Sequence, residues 1–272
     1  MADYDSNKIL AFSHIPKTAG TSFNYLLRRY FGRRIMAVRF REGQESTFQY
    51  QNFLEDSKLF PKLSCISGHS LKPFINFGPH EKQFSWFTFF RDPEKRFVSH
   101  YIHQQTNQDP KYKMDMIEWA ETYNRSNLQV QWLAGKQDLA AAIQILDEKF
   151  PVIGITSEFS RSVDQLVQFN RLKKFSKSLT NKKMVVRSEE IRKNIRDNYS
   201  KYQSTIKHCN SLDQQLFEYA LKKFSVQLQN LGEQPQSNFS VKSSGPFKPL
   251  SHWLNLLFFQ FQDKIVYARS LN

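Results

Sequence analysis

Four short apolar runs, each leading into a polar turn, constrain the fold of this chain more than any other feature. They occupy residues 8–14, 63–67, 84–90 and 151–155, and segments with helical spacing follow them. Short buried strands that alternate with helices indicate a parallel sheet covered by helices on both faces. With a shorter apolar run at 184–186, the sequence predicts a three-layer α/β fold with a central parallel sheet of four to five strands flanked by helices.

Basic residues come shortly after three of these runs. Lys17 follows the first strand, His69 follows the second, and Arg91 follows the third. Because ligands of open α/β sheets bind at the carboxyl ends of the strands, we expect these three side chains to meet at one edge of the sheet. The chain order therefore already predicts where a functional site lies.

The loop IPKTAGTS, residues 15–22, has the composition of an anion-binding turn. Small residues let backbone N–H groups approach an anion, and the N-terminus of the following helix adds partial positive charge. The hydroxyls of Thr18, Thr21 and Ser22 are expected to donate to the anion, and Thr21 or Ser22 to cap the helix. We predict that the anion contacts Lys17, Thr18, Ala19, Gly20, Thr21 and Ser22.

The order of residues in this loop disfavours a magnesium-bound triphosphate. Lys17 precedes Gly20, which is the reverse of the GxxxxGK[ST] pattern, and no acidic strand end suggests a metal ligand. We therefore predict no metal site. Lys and Arg number 39 against 25 Asp and Glu, a formal charge of +14 that favours an anionic partner. A metal-dependent P-loop kinase or NTPase and a non-catalytic polyanion-binding module remain as alternatives.

A second motif, FFRDPEKRFVSHY, begins at the end of the third strand. Arg91 stands at the strand end, where a guanidinium fork suits a phosphate. Asp92 is expected to cap the next helix, with Pro93 in its first position. Ser99 lies two turns into that helix, on the face of Asp92 and Lys95, so its side chain can point back toward Arg91.

Together the two motifs resemble those of the sulfotransferases, and especially the branch of glycan O-sulfotransferases that includes the heparan sulfate 2-O enzymes. That family has a P-loop-like fold and takes the sulfuryl group from 3′-phosphoadenosine 5′-phosphosulfate (PAPS) without a metal. The resemblance implies that Lys17 and residues 18–22 bind the 5′-phosphate and sulfonate, and that Arg91 and Ser99 bind the 3′-phosphate. It covers roughly residues 8–230.

Sulfuryl transfer also needs a base that removes the proton of the acceptor hydroxyl. His69 follows Gly68 at a strand end, and the segment SGHSLKPFINFG resembles the one that carries the catalytic histidine in glycan 2-O-sulfotransferases. The resemblance implies His69 as base and Lys17 as the group that stabilises the leaving oxygen. His103 or an acidic residue is the alternative base, and His69 could instead only hydrogen-bond the backbone.

The acceptor cannot be read from local patterns, but the basic composition suits a carbohydrate that is itself anionic. Tyrosine and lipid-linked sugars stay open as acceptors. Nucleic acid is not predicted as a partner, because the basic run at 171–193 is interpreted as a solvated face. We thus expect a glycan or another acceptor that carries a hydroxyl.

Composition divides the chain into a catalytic domain, a linker and a tail. We predict a sulfotransferase domain at 1–232, a Pro- and Ser-rich linker at 233–249, and an amphipathic segment at 250–272 that packs on the domain or on a partner subunit. A transmembrane segment is not expected, although the last segment could lie on a membrane surface. The two cysteines are expected to be free thiols, and the missing leader predicts the cytoplasm, or the Golgi lumen if the chain is a truncated piece.

Overall fold

The computed structural model describes residues 8–38, 47–106, 113–122, 126–175 and 189–231. Six short strands and ten α-helices follow one another along these residues. In chain order they are β1 (Ile9–Ser13), α1 (Gly20–Phe31), β2 (Ile35–Val38), α2 (Tyr50–Asp56), β3 (Cys65–Gly68), β4 (Phe84–Phe87), β5 (Phe89–Phe90), α3 (Pro93–Gln105), α4 (Met116–Thr122), α5 (Leu128–Ala134), α6 (Leu139–Lys149), β6 (Gly154–Ile155), α7 (Phe159–Phe169), α8 (Glu189–Asp197), α9 (Tyr199–Cys209) and α10 (Ser211–Leu231).

The central sheet has four parallel strands in the order β2-β3-β1-β4. β5 and β6 pair in parallel as a second, two-stranded sheet, separated from β4 only by Thr88. Gly154 donates its N–H to the Thr88 carbonyl at 2.8 Å, which ties β6 to the point where β4 ends. The predicted α/β fold with a central parallel sheet flanked by helices is confirmed.

Both faces of the sheet are buried, because alternate residues of β1 lie in different hydrophobic clusters. Ile9 and Ala11 belong to a cluster that α2, α5, α6 and α10 complete. Leu10 and Phe12 belong to another, completed by α1 and α7. Burying an aliphatic or aromatic side chain of this size contributes about 1.5–3 kcal/mol, so the two clusters hold the carboxyl edge of the sheet in place.

A third cluster fixes α3, the helix that begins just after Arg91. Phe97 and Tyr101 of α3 pack against Trp119 of α4, with ring centroids 5.2 and 5.5 Å apart. Ile206 of α9 lies in the same cluster. Asp92 caps the helix as predicted, since its side chain accepts the N–H of Lys95 at 2.9 Å. The orientation of α3 relative to the sheet is therefore determined by packing at one end and a cap at the other.

Several elements differ from the sequence-based expectation. β2 and α9 were not predicted, and the strand at 84–90 is interrupted at Thr88. β2 has only four residues, which is too short for a periodicity to show. The strand proposed at 184–186, the linker at 233–249 and the segment at 250–272 lie outside the described residues.

Two smaller expectations concern the cysteines and the membrane. Cys65 and Cys209 are free and buried, as expected. Burial raises the pKa of the Cys65 thiol well above its usual value. Among the residues that the structure describes, no helix combines the length and the apolar character needed to cross a bilayer.

Candidate active site

The loop between β1 and α1 adopts a strained backbone. Lys17 and Ala19 both have positive φ, 68° and 71°, although neither is glycine. Such conformations cost on the order of 1–3 kcal/mol each and occur mostly at functional sites. Left-handed residues next to right-handed ones form a concave nest of N–H groups that binds anions. The backbone alone thus has the form of an anion site.

α1 begins earlier than predicted. Ala19 occupies the N-cap position and makes no side-chain capping hydrogen bond, so the expectation that Thr21 or Ser22 caps the helix is wrong. The left-handed Ala19 turns the chain into the helix at Gly20. Thr21 and Ser22 instead lie exposed in the first turn, where the helix N–H groups have no intrahelical partner. Neither residue is among those that line the cavity described below, so the contact of their hydroxyls with an anion stays a prediction.

Thr18 has a different role from the one expected. Its side chain is fully buried, and the hydroxyl donates to the Ile15 carbonyl at 2.9 Å. The expectation that all three hydroxyls of the loop donate to the anion is therefore wrong for Thr18. Its side chain stabilises the loop, and only its backbone N–H remains for a ligand.

Gly20 is required by a close approach of a side chain rather than by its own φ. A Cβ atom added at Gly20 would lie 1.9 Å from the imidazole of His14. His14 is buried, with Nδ1 3.2 Å from the Asn24 Nδ2 of α1, and Asn24 in turn accepts a short hydrogen bond from the Ser67 hydroxyl of β3. Because Gly20 has no side chain, the His14 ring fits beside it and, through Asn24, connects the loop, α1 and β3.

Arg91, which directly follows β5, hydrogen-bonds the backbone of the anion loop. Its guanidinium donates to the Lys17 carbonyl at 2.9 Å. Its own backbone is held by the Gln129 side chain, which accepts the Arg91 N–H at 3.1 Å and donates to the Arg91 carbonyl at 2.9 Å. The ends of β1 and β5 are thereby joined, as the chain order predicted.

A cavity of about 790 Å³ opens beside these two residues. This volume is typical of sites for small organic ligands. The residues that line the cavity come from the loop, from the strand end, from α3, and from α8 and α9: Lys17, Arg91, Glu94, Lys95, Val98, Ser99, Ile102, His103, Thr106, Arg192, Ile195, Arg196 and Tyr199. The structure thus brings Lys17, Arg91 and Ser99 to one cavity.

Three cations from separate elements repel one another around this cavity. Burial lowers the pKa of Lys17, and the Arg91 guanidinium lowers it further. Burial likewise lowers the pKa of Arg91, which Asp92 opposes and Arg192 of α8 reinforces. Five of the residues that line the cavity are Lys or Arg and one is Glu, and such an excess of positive charge favours an anionic ligand, because the ligand relieves the repulsion.

Sequence reasoning missed the residues that α8 and α9 contribute. Arg192 and Arg196 lie about 100 residues after Arg91 and line the same cavity. Tyr199 donates its hydroxyl to Glu94 at 2.7 Å, which links α9 to α3. The only local signal was the basic run at 171–193, which we interpreted as a solvated face; Arg192 is exposed, as that interpretation expects, and it also lines the cavity.

The support beneath Arg91 is a buried polar network between α5 and α10. Asp213 is fully buried and accepts the N–H groups of Gln129 and Val130 at 3.0 and 2.8 Å. Asn127 accepts the N–H of Asp213 at 3.2 Å in return. Asp213 of α10 thus caps α5, and Asn127 caps α10. Because the Gln129 side chain hydrogen-bonds the Arg91 backbone, this network also holds Arg91 in place. Arg96, also fully buried, provides the positive charge that faces Asp213.

His69 lies at the carboxyl end of β3 with its imidazole exposed and its orientation fixed. Its Nδ1 is 2.8 Å from the His14 carbonyl, and the two imidazole rings stack at 3.8 Å between centroids. A carbonyl can only accept a hydrogen bond, so Nδ1 carries a proton and Nε2 of the neutral ring keeps its lone pair. The backbone contact that we considered as an alternative role is present, and it leaves the lone pair of Nε2 unused by that contact.

Several neighbours shift the pKa of His69. Partial burial lowers it, the hydrogen bond to His14 raises it, and the Lys72 ammonium lowers it. His103, the alternative base, is exposed and lines the cavity itself, where burial and then Lys17 lower its pKa. Of these two histidines, His69 is the one whose ring contacts the backbone at the end of β1, whereas His103 is the one that lines the cavity.

The comparisons with known proteins agree with this geometry. A model of the sulfotransferase family matches residues 2–220. The chain therefore belongs to the sulfotransferase family. Membership supports sulfuryl transfer in general over phosphoryl transfer or simple polyanion binding. A comparison with curated protein sequences gives no significant match, so the narrower resemblance to glycan 2-O-sulfotransferases stays a prediction.

The burial of His14 predicts a loss of stability in acid. Burial, His69 and Lys17 lower the pKa of His14 from 6.5 to about 3. Between these values the unfolded chain binds a proton that the folded chain does not, so the free energy of unfolding falls as the pH drops below 6.5. One such group removes about 1.4 kcal/mol per pH unit, or roughly 2–3 kcal/mol by pH 4.5.

Urea unfolding of the wild type and of His14→Gln, measured at several pH values, tests this expectation. Glutamine keeps a polar group beside Asn24 but does not titrate. The variant should show a shallower decline of the free energy of unfolding below pH 6.5. Equal slopes for the two proteins would contradict the assignment of His14 as a buried neutral group.

Proposed function

We propose that the protein transfers a sulfuryl group from PAPS to a hydroxyl of a carbohydrate. The observation that carries the proposal is the convergence of Lys17, Arg91 and Arg192, from three separate elements, on one cavity of nucleotide size. A nucleotide that carries phosphates on both its 5′ and 3′ positions would match a cavity that several cations line. PAPS would supply the sulfuryl group and leave as 3′-phosphoadenosine 5′-phosphate (PAP).

The loop residues would bind the 5′ end of the donor. The N–H groups of residues 18–22 and the exposed hydroxyls of Thr21 and Ser22 donate to the anion, while Lys17 supplies a full charge. Lys17 is also the group positioned to stabilise the negative charge that develops on the leaving oxygen. Donors that are fixed before the reaction lose little free energy to reorganisation in the transition state.

Arg91 and Ser99, which line the same cavity as Lys17, would bind the 3′-phosphate. Arg91 is fixed by Gln129, so its guanidinium is already oriented when the ligand arrives. Arg192 and Lys95 add positive charge around the same region. The apolar side chains of Val98, Ile102 and Ile195 provide a surface suited to the adenine and ribose.

His69 would act as the general base. Its Nε2 takes the proton of the acceptor hydroxyl while the acceptor oxygen forms a bond to sulfur and the bond from sulfur to the 5′-phosphate oxygen breaks. Such proton transfer contributes typically about 10²- to 10⁴-fold to the rate when the base has a pKa near the working pH. The lowered pKa of His69 keeps the basic form available at neutral pH.

Transfer of radiolabelled sulfate from PAPS to a panel of hydroxyl acceptors tests the proposal. The panel contains acidic oligosaccharides, neutral oligosaccharides, a lipid-linked sugar and a tyrosine peptide. We expect label in a carbohydrate. Label only in the tyrosine peptide would overturn the carbohydrate part, and no label in any acceptor from a protein that also fails to bind PAP would overturn the whole proposal.

Arg91→Ala should weaken the binding of PAP by about 1.5–3 kcal/mol, the range for a hydrogen bond to a charged group. That is roughly a 10- to 150-fold rise of Kd in a calorimetric titration. Adenosine 5′-phosphate, which has no 3′-phosphate, is the matched control ligand and should lose much less affinity. If both ligands weaken equally, Arg91 acts through the Lys17 loop and not through the 3′-phosphate.

A further inference from the structure

We infer that Lys72, held against Trp132, binds an anionic group of the acceptor and so selects for acidic acceptors. This inference rests on the proposed function, because it concerns the acceptor side of the same site. Lys72 follows His69 by three residues, and its ammonium lies over the face of the Trp132 indole ring. Neither Lys72 nor Trp132 is among the residues assigned to binding of the donor.

The charge of Lys72 has no counter-ion in the described part of the chain. Its ammonium makes neither a hydrogen bond nor an ion pair with any residue that the structure describes, and its contact with Trp132 is a cation–π interaction. Lys149 offers a comparison, since it also lies near a tryptophan ring, that of Trp86, but pairs with Glu81 at 2.9 Å. Lys72 lacks such a carboxylate.

Because Lys72 is largely removed from water, the absence of a carboxylate beside its ammonium is energetically unfavourable. Burial lowers the pKa of Lys72 to about 6, and no neighbouring carboxylate opposes the shift. A charge that is partly removed from water is normally paired, because its lost hydration must be replaced. An anionic group on a ligand would replace that hydration and restore the protonated form of the side chain.

The arrangement of charges places Lys72 on the acceptor side of His69. Lys17 acts on the pKa of His14, and Lys72 acts on the pKa of His69. The two histidine rings stack on each other, and Lys72 is not among the residues that line the donor cavity. Since Lys17 lines the donor cavity, the side of the pair on which Lys72 lies is the one left for the acceptor.

Trp132 gives this side a rigid wall. Its ring meets the His69 ring edge-on, with centroids 6.1 Å apart at 82°. Its indole N–H donates to the Ser13 hydroxyl at 3.1 Å, and Ser13 donates to the Leu71 carbonyl at 2.9 Å. The tryptophan is thus tied to the end of β1 and to the segment that carries Lys72, so the ammonium is held at a fixed position relative to His69.

Binding of a matched pair of oligosaccharides to the PAP-loaded protein tests the inference. The probes are a sulfated, hexuronate-containing tetrasaccharide and the same tetrasaccharide after desulfation and carboxyl reduction. The wild type should bind the acidic form about tenfold more tightly or better, as expected for a charge-assisted hydrogen bond. Lys72→Met should remove that preference and leave the affinity for the neutral form unchanged.

The controls separate charge from structure. Lys82→Met removes one exposed lysine and should leave the preference intact, whereas Lys72→Arg keeps the charge and should retain most of it. PAP affinity reports on folding and on the donor site. Equal binding of the two tetrasaccharides by the wild type, no binding of either, or an equal loss for both in Lys72→Met would overturn the inference. A protein that does not bind PAP would instead refute the proposed function.

Discussion

Replacing His69 by asparagine should lower kcat by about 10²- to 10⁴-fold, while the affinity for PAP stays within about twofold. The asparagine side chain can still donate to the His14 carbonyl, so the segment after β3 keeps its hydrogen bond. It has no basic lone pair at the position of Nε2. The substitution therefore removes the base and little else.

Single-turnover transfer from radiolabelled PAPS, together with calorimetric titration of PAP, measures both quantities. His103→Asn is the matched control, because His103 is the alternative base and lines the donor cavity beside Lys17. It should retain most of the turnover. The opposite result, with turnover retained in His69→Asn and lost in His103→Asn, would show that the base is His103, in the donor cavity.

The pH dependence of kcat/KM provides an independent check on His69. Since its pKa is lowered from 6.5, the neutral form persists to more acidic pH. The acidic limb of the wild-type profile should therefore have its midpoint below 6.5, with activity lost as the pH falls through it. The same limb should be absent from the residual activity of His69→Asn.

Asp213→Ala should lower the free energy of unfolding by about 3–5 kcal/mol, because it leaves the buried Arg96 without the charge that faces it. It also removes the acceptor for two N–H groups at the start of α5. Gln129 lies in this first turn of α5, and its side chain holds the backbone of Arg91. The folded fraction of the variant should therefore also bind PAP more weakly.

Denaturant unfolding followed by circular dichroism measures the effect. Asp147→Ala is the control, since Asp147 also accepts hydrogen bonds across a helix interface, from Tyr219 and Lys223, but near the surface. The control should lose only about 0–1 kcal/mol. A loss in Asp213→Ala as small as that of the control would show that the buried network does not support the site.

The two anchors of the site could be predicted from the sequence for a physical reason. Lys17 and Arg91 each follow a short apolar strand, and parallel strands end at the same edge of a sheet. The hydrogen bond from the Arg91 guanidinium to the Lys17 carbonyl is the contact that this rule implies. The cap of α3 at Asp92 was equally local and was also correct.

The parts that sequence reasoning missed are those that distant segments bring together. Nothing local relates Arg192 to Arg91, since only the packing of α8 beside α3 makes them neighbours. The need for Gly20 arises from the ring of His14, and the contact of Lys72 with Trp132 joins positions 60 residues apart. Patterns of charge and hydrophobicity describe single elements, whereas these contacts depend on tertiary structure.

The anion loop could be predicted from the sequence only in part. Its composition predicted an anion site, but the left-handed backbone of Lys17 and Ala19 could not be predicted, because non-glycine residues rarely adopt it. The same geometry explains two corrections. The helix begins at Gly20 rather than after a Thr21 or Ser22 cap, and the Thr18 hydroxyl turns inward to hold the loop.

Calorimetric titration of the wild-type protein with PAP and with adenosine 5′-phosphate, without added metal, tests most directly whether one nucleotide contacts both anchors. We expect micromolar binding of PAP, at least about tenfold tighter than that of adenosine 5′-phosphate, because only PAP reaches Arg91 as well as Lys17. The same affinity for both nucleotides, or no heat with PAP at millimolar concentration, would contradict this description of the site.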